Sequence, residues 1–201
     1  MGKHLLLTGF SCTGKTSMGR AAFQGAVIDS DDKILEWVAS NTRQEFEHIY
    51  QIYMECGRPR AIELIEHAES ALIARWAEDT TPKVVSLGPG FPFRENWVRL
   101  RLMGHVVLFQ RPPEVIYDRL KKRREEIFEE CPDAKRHDNW DVHVMVDEHR
   151  NEYPRHEAVR RIAQQLVDRE EFYRDNDAEL CTDDSEQAKN QLQAIWARIN
   201  G

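Results

Sequence analysis

The chain has 201 residues, of which 41% are hydrophobic and 31% charged, and it carries a formal net charge of −7. This length accommodates one domain with one substantial core, so we predict a single domain over residues 1–201. The acidic balance argues against a nucleic-acid partner, no apolar run approaches membrane-spanning length, and the four cysteines are scattered without a CxxC pair. These features predict a cytoplasmic protein that acts on a small molecule, and they leave its oligomeric state open.

The first predicted strand, His4–Thr8, runs directly into Gly9-Phe10-Ser11-Cys12-Thr13-Gly14-Lys15-Thr16, which has the residue types and spacing of a phosphate-binding loop. A segment compatible with a helix, Lys15–Phe23, follows at once. A phosphate loop needs a strand before it and a helix after it, and both are present. The alternative, a glycine turn that only caps a helix, is the weaker interpretation because of these flanks.

Each fixed position of this loop has a chemical reason. Gly9 and Gly14 permit backbone torsions that other residues avoid, so successive N–H groups can point at a polyphosphate. Lys15 places a positive charge near the β- and γ-phosphates, and the hydroxyl of Thr16 can bind Mg²⁺. We therefore predict a nucleoside triphosphate site made of Gly9, Ser11, Cys12, Thr13, Gly14, Lys15, Thr16 and Ser17.

Beyond this helix, short β-rich runs alternate with longer segments of helical spacing. The predicted strands are Ala26–Ile28, Lys83–Leu87, His105–Phe109 and Glu179–Thr182, and the predicted helices are Lys33–Val38 with a continuation, Arg60–Trp76, Glu95–Met103, Pro113–Phe128, His156–Arg174 and Ser185–Ile199. With the first strand, this pattern predicts an α/β fold, a five-stranded parallel sheet flanked by helices. Ligands of such sheets bind at the carboxyl ends of the strands, where the phosphate loop, Asp29–Asp31 and Gly88–Gly90 all fall.

Two carboxylates, Asp29 and Asp31, follow the second strand at alternate positions. If the extended backbone continued, both side chains would point the same way, toward the phosphate loop. One could then hold the hydrated magnesium ion, while the other accepts a proton from an attacking hydroxyl. Capping of the next helix is the alternative role for either aspartate. The neighbouring phosphate loop favours the catalytic interpretation.

A charged segment interrupts the alternation near the middle of the chain. Glu125–Arg155 is crowded with acidic and basic residues and contains His137, His143 and His149. These histidines are six residues apart, a spacing that does not align them on one helical face, so a solvated segment is favoured over a metal site. We predict that residues 121–156 form a partly helical, mobile lid.

Five segments of this sequence match the pattern of a known family. They are Gly9–Arg20, Asp29–Asp31, Arg60–Glu63, Val85–Gly90, and Arg169–Arg174 with its continuation to Cys181–Asp183. In that order they resemble the phosphate loop, the Asp-x-Asp pair, the Arg-x-x-Glu element, the triple-glycine loop and the C-terminal arginine element of shikimate kinases. The resemblance implies a three-layer P-loop NTPase fold with a lid. It also implies transfer of the ATP γ-phosphate to a hydroxyl of shikimate or a similar hydroxylated carboxylic acid.

The resemblance further implies a role for each matched residue. Lys15 and Asp31 would be the catalytic residues, with Lys15 on the ATP phosphates and Asp31 on the acceptor hydroxyl, while Thr16 and Asp29 would hold Mg²⁺. The acceptor would be bound by Asp31, Arg60, Gly88, Gly90 and Arg169, the two arginines gripping its carboxylate with their planar forks. A lid arginine, Arg150 or Arg155, would reach toward the phosphates.

Departures from the family pattern keep other acceptors open. Pro89 stands where the family has its middle glycine, which removes an N–H and fixes φ beside the acceptor, and the lid is unusually long. A kinase for another hydroxylated metabolite, such as a sugar acid, a nucleoside or an antibiotic, is therefore the alternative. A nucleotide-dependent switch is less favoured, because the chain has no Asn-Lys-x-Asp guanine motif and Gln110, rather than an aspartate, follows Val106–Phe109.

Overall fold

In the part of the chain that the structure describes, five parallel strands form one sheet. They are β1 (His4–Gly9), β2 (Val27–Asp29), β3 (Val84–Ser86), β4 (Gly104–Gln110) and β5 (Ala178–Cys181), in the spatial order β2-β3-β1-β4-β5. The structure is a computed structural model and describes residues 4–89, 91, 97–133, 142–147, 149, 151–174, 176–181 and 185–201. The predicted α/β fold with a five-stranded parallel sheet is confirmed.

Helices flank this sheet. They are α1 (Lys15–Ala22), α2 (Ser30–Thr42), α3 (Ile49–Cys56), α4 (Arg58–Glu78), α5 (Trp97–Met103), α6 (Pro113–Glu130), α7 (Val142–Met145), α8 (Arg155–Asp168), α9 (Glu170–Tyr173) and α10 (Ser185–Asn200). The long helix predicted over His156–Arg174 is two helices, α8 and α9, which meet at Arg169. Among the described helices, none combines the length and the apolar character needed to cross a membrane.

The α3 helix was not predicted from the sequence. Its isoleucines and tyrosines favour strands in isolation, so the local pattern is ambiguous. Two features stabilise the helical conformation, one buried side chain and one side chain that caps the helix. Ile52 is fully buried, and the side-chain oxygen of Gln51 accepts hydrogen bonds from the backbone N–H groups of Glu47 and His48 at 2.6 and 2.9 Å.

The strand order creates a switch point beside β1. The chain places β3 and β2 on one side of β1 and β4 and β5 on the other, and ligands of doubly wound sheets bind beyond such a point. The register brings the ends of β2 and β3 level with Leu7, two residues before the end of β1, because Leu7 pairs with Ser86 and Ser86 pairs with Asp29. The segments that follow β1, β2 and β3 therefore leave the sheet side by side.

The side chains of β1 hold both faces of the sheet to the helices. Leu6 belongs to the apolar cluster that α2, α4 and α5 cover, whereas Leu5 and Leu7 belong to the cluster that α1 and α10 cover. All three leucines are fully buried, and burial of each contributes roughly 1.5–3 kcal/mol. The strand beside the switch point, β1, is therefore held in place by packing on both faces of the sheet.

The segment predicted as a lid is described in part. Its first residues continue α6 to Glu130, and Val144–Val146 are buried in a third apolar cluster with Phe10 of the phosphate loop. Residues 134–141, 148 and 150 lie outside the described residues. Much of the described segment is therefore helical or packed against the domain, and its closure stays a prediction.

Candidate active site

The phosphate loop begins where the backbone of β1 runs close to that of β4. Gly9 has φ +137°, and a Cβ at this position would lie 2.4 Å from the backbone oxygen of Phe109, so a side chain cannot be accommodated. Gly14 has φ +97° and precedes α1 directly, while Cys12 also has a positive φ of 60°. These torsions let the loop wrap around the first turn of α1, whose unpaired N–H groups form a site for anions.

Lys15 is buried, and its side chain folds back onto the phosphate loop. Its Nζ donates hydrogen bonds to the backbone oxygens of Gly9 at 3.0 Å and Phe10 at 2.9 Å. The hydroxyl of Thr13 donates to the same Phe10 oxygen at 2.9 Å. The loop backbone therefore holds the ammonium group close to the position that a polyphosphate would take in this type of loop.

Thr16, Asp29 and Ser86 meet where β2 and β3 end. The Thr16 hydroxyl donates to Asp29 Oδ2 at 2.9 Å and lies 2.8 Å from Ser86 Oγ. Asp29 Oδ1 accepts the backbone N–H of Asp31 at 3.1 Å, so Asp29 caps α2 and also faces the phosphate loop. A carboxylate beside hydroxyl groups fits Mg²⁺, which takes oxygen ligands, keeps several waters and shares the phosphates of its nucleotide.

Asp31 reaches the site from the first turn of α2 and not from an extended strand, because β2 ends at Asp29. A Cβ added to Gly88 would lie 3.1 Å from Asp31 Oδ1, so the backbone after β3 runs against this carboxylate. Burial raises the pKa of Asp31 to about 6, and the negative charge of Asp29 adds to the rise, while Arg123 and Lys15 oppose it. A carboxylate with this pKa is suited to accept a proton near neutral pH.

A cleft of about 360 Å³ opens beside Asp31, and we call it the acceptor cleft. Ser11 of the phosphate loop and Pro89 line it, as do Tyr50 of α3 and Arg123 of α6. Burial raises the pKa of Tyr50, and the neighbouring groups of Cys131, Glu130 and Glu47 add to the rise. Two arginines, Arg123 and Arg124, line the cleft together with six acidic residues, so acidic groups predominate; the acidic residues are Asp29, Asp31, Asp32, Glu47, Glu126 and Glu130.

A second cleft of about 630 Å³ lies on the other side of the phosphate loop, and we call it the nucleotide cleft. Cys12, Gly14 and Ser17 line it together with Arg111 and Arg119. The Arg119 guanidinium donates to the Cys12 backbone oxygen at 3.0 Å. Of the residues predicted to bind the triphosphate, Cys12, Gly14 and Ser17 line this cleft and Ser11 lines the acceptor cleft, while the other four line neither cleft.

The described arginines that the resemblance assigns to the acceptor or the lid do not line either cleft. Arg60 is exposed on α4, does not line the acceptor cleft, and pairs with Glu63 at 2.7 Å. Arg155 is also exposed and pairs with Asp118 at 3.2 Å. Arg169 is buried, with its guanidinium 4.7 Å from the centre of the Phe10 ring, and it does not line the acceptor cleft either. Gly90 and Arg150 lie outside the described residues.

Four arginines at the site were not singled out from the sequence, and one of them, Arg124 of α6, lines the acceptor cleft. Arg111 follows β4 directly, and Arg119 and Arg123 are four residues apart on α6, one at each cleft. The signal was present, because a basic pair at this spacing lies on one face of a helix, and the preceding strand ends at the ligand edge of the sheet. Ser86 was missed as well, although it ends the strand that leads to Gly88.

Comparison with solved structures gives the same architecture. A shikimate kinase from Acinetobacter baumannii, solved in complex with shikimate, matches with a TM-score of 0.66 at 18% identity, over 100% of this chain and 97% of that one. A shikimate kinase from Bacteroides thetaiotaomicron matches with a TM-score of 0.63 at 19% identity, over 96% of this chain and 98% of that one. At these identities the likeness shows the fold.

Comparison at the level of sequence identifies the family. A search of curated proteins found no match. The family described as shikimate kinase matches residues 11–200, which covers the phosphate loop from its third position, the aspartate pair, both clefts and the C-terminal helix. The resemblance noted from the sequence is therefore confirmed, and the chain belongs to the shikimate kinase family.

Proposed function

We propose that this protein transfers the γ-phosphate of ATP to a hydroxyl group of a small molecule. The observation that carries the proposal is the position of the phosphate loop between two clefts. Cys12 and Gly14 line the nucleotide cleft, and Ser11 lines the acceptor cleft together with Asp31. A nucleotide bound on one side would present its terminal phosphate toward a hydroxyl bound on the other.

The residues of the chain have distinct tasks in this reaction. Lys15 offsets the negative charge that gathers on the phosphates, and the loop carbonyls of Gly9 and Phe10 hold its ammonium group in place. Thr16 and Asp29 would hold Mg²⁺, which neutralises charge between the β- and γ-phosphates when bound. Asp31 orients the acceptor hydroxyl and accepts its proton. Because the transition state of phosphoryl transfer is loose, we assign more of the rate to Lys15 than to Asp31.

We infer that the acceptor is a hydroxylated carboxylic acid such as shikimate. Membership of the family supports this acceptor, and so does a related structure that was solved with shikimate bound. In this chain the guanidinium beside the reacting hydroxyl would be that of Arg123, because Arg123 lines the acceptor cleft and its charge acts on Asp31. A guanidinium fork matches the two oxygens of a carboxylate.

A second class of acceptor is favoured by the acidic residues that line the same cleft. Glu47, Glu126 and Glu130 line it, and their charges would repel a carboxylate placed there. A neutral polyol, or a molecule with an amino group several ångströms from the reacting hydroxyl, would fit this distribution of charge better. The second candidate is therefore a kinase for a sugar, nucleoside or antibiotic.

A panel of acceptors tests the proposal and separates the two classes. The assay measures ADP release with ATP and Mg²⁺, and mass spectrometry identifies the phosphorylated product. The panel contains shikimate and other hydroxylated acids, neutral polyols and nucleosides, and amino sugars. Acceptor-dependent ADP release with one new phosphate on the acceptor supports the proposed reaction, and the preferred member of the panel decides the class. Release that no acceptor increases contradicts the proposal.

A further inference from the structure

Arg111 lies directly beyond the carboxyl end of the sheet, beside the phosphate loop. The strand β4 ends at Gln110, and its Phe109 pairs with Gly9, the first residue of the loop. The chain therefore leaves two neighbouring parallel strands at this point, and such strands are about 4.8 Å apart. Arg111 thus begins next to the segment that would bind a polyphosphate.

The backbone also determines the face of the sheet on which Arg111 lies. Pro112 follows it, and a residue before proline favours an extended conformation. Because side chains of an extended segment alternate between faces, Arg111 should lie on the same face as Phe109. Phe109 belongs to the apolar cluster that α1 and α10 cover. The nucleotide cleft agrees with this placement, since Arg111 lines it together with Ser17 of α1 and Lys189 of α10.

Cationic side chains predominate in the nucleotide cleft. Among the described residues that line it, Arg111, Arg119 and Lys189 are basic and Glu186 is acidic. Lys189 Nζ lies 3.4 Å from the Glu186 carboxylate, which offsets its charge. Arg119 is exposed and donates to the Cys12 backbone oxygen at 3.0 Å, whereas Arg111 is half-buried. A half-buried guanidinium attracts an anion more strongly than an exposed one, because water screens its charge less.

The loop residues that share the cleft with Arg111 indicate which phosphates it would meet. Cys12, Gly14 and Ser17 line the cleft, whereas Lys15 does not. In this type of loop the backbone N–H groups hold the α- and β-phosphates, and the lysine reaches the β- and γ-phosphates. The cleft therefore fits the α- and β-phosphates, while the γ-phosphate would lie toward Lys15.

We propose that Arg111 binds the α- and β-phosphates of the nucleotide. Its planar fork can donate two N–H groups to phosphate oxygens, which a lysine cannot do. The inference rests on the proposed function in taking ATP as the nucleotide, and it adds a binding residue that the family resemblance does not assign. Because ADP keeps both of these phosphates, Arg111 should contribute equally to the binding of ATP and of ADP.

Nucleotides with different numbers of phosphates test this inference without any acceptor. The affinities of adenosine, ADP and ATP are measured by their displacement of a fluorescent ATP analogue in the presence of Mg²⁺. We expect Arg111→Gln to weaken the binding of ADP and ATP by the same factor, about tenfold, because charge-assisted hydrogen bonds to phosphate are lost. The affinity for adenosine should change less than about twofold.

Two further variants make the experiment specific. Arg111→Lys should weaken the binding of ADP and ATP about threefold, because it keeps the charge but loses the planar fork. Arg198→Gln is the matched control, since it removes an exposed arginine in the last turn of α10, the helix whose first residues line the nucleotide cleft. This control should bind all three ligands as the wild type does.

The outcomes separate this inference from the proposed function. If the wild type binds neither ADP nor ATP, the proposed function fails and the inference fails with it. If the wild type binds both and Arg111→Gln weakens adenosine as much as ADP, Arg111 holds the base or the ribose and the inference alone is overturned. A loss confined to ATP, or unchanged affinities, also overturns it. Where Arg111→Gln does not fold, Arg111→Lys decides, and wild-type affinity for ADP in that variant contradicts the inference.

Discussion

The phosphate loop and the acceptor cleft are built in different ways. The loop is one contiguous segment, Gly9–Thr16, whose glycine torsions and backbone carbonyls hold Lys15 in place. The acceptor cleft is lined by side chains from five separated parts of the chain, which are Ser11 of the loop, the start of α2, the start of α3, Pro89 and the α6 helix. A local segment keeps its geometry when the rest of the chain diverges, whereas a cleft made of distant side chains can change its ligand through a few substitutions.

The largest effect should come from the loop. Lys15→Ala removes the buried ammonium group that would offset the charge of the phosphates. We expect kcat/KM to fall at least about 10³-fold while the circular dichroism spectrum stays unchanged. Lys33→Ala, which removes a surface lysine that pairs with Glu36, is the matched control and should be as active as the wild type. Phosphoryl transfer within tenfold of the wild type in Lys15→Ala would mean that the loop does not serve this reaction.

A smaller loss is expected on the acceptor side. Asp31→Asn keeps the shape of the side chain but cannot accept a proton, so kcat should fall about 10²-fold with little change in ATP affinity. In the wild type, kcat should rise with pH through about 6, because Asp31 must be ionised to act and its pKa is raised to about 6. A pH profile of kcat that is flat between about pH 5 and 8 would contradict the role of this carboxylate as a base.

The same substitution should change the stability of the free protein in the opposite direction. The folded state keeps the Asp31 proton up to about pH 6, while the ordinary pKa of 3.8 applies to the unfolded chain, so stability is lost as pH rises through this window. Asp31→Asn should therefore increase the free energy of unfolding at about pH 8 by roughly 1–3 kcal/mol. Urea unfolding checks this value, and the gain should vanish below about pH 4. Equal stability of the two proteins at about pH 8 would show that burial does not disfavour the ionised form.

The smallest effect should come from Arg60. Its side chain is exposed and pairs with Glu63 within the same helix, so Arg60→Ala should change the acceptor KM less than twofold and the free energy of unfolding by under about 1 kcal/mol. Steady-state kinetics with the preferred acceptor measures this. A rise of about tenfold in the acceptor KM would place Arg60 on the acceptor after all and restore the role that the resemblance implies.

The sequence predicted those parts of the molecule that local rules control. The five strands follow from short apolar runs, and the loop follows from glycines whose torsions and close contacts leave little choice, as the approach of Gly9 to Phe109 shows. The α3 helix could not be predicted, because burial of Ile52 decides its conformation and local propensity does not. The positions of Arg123 and Arg169 also depend on tertiary packing. A match to a sequence pattern, such as Arg60–Glu63, does not show which face of a helix points toward the site.

One pair of substitutions on α6 tests most directly whether two clefts serve the two substrates. Arg119 lies over the phosphate loop and Arg123 lines the acceptor cleft, four residues farther along the same helix. With the preferred acceptor, Arg119→Ala should raise the KM for ATP about tenfold and the acceptor KM less than twofold, and Arg123→Ala should do the reverse. If both variants changed the two KM values alike, or if Arg123→Ala left the acceptor KM unchanged, the division of the site into a nucleotide cleft and an acceptor cleft would be wrong.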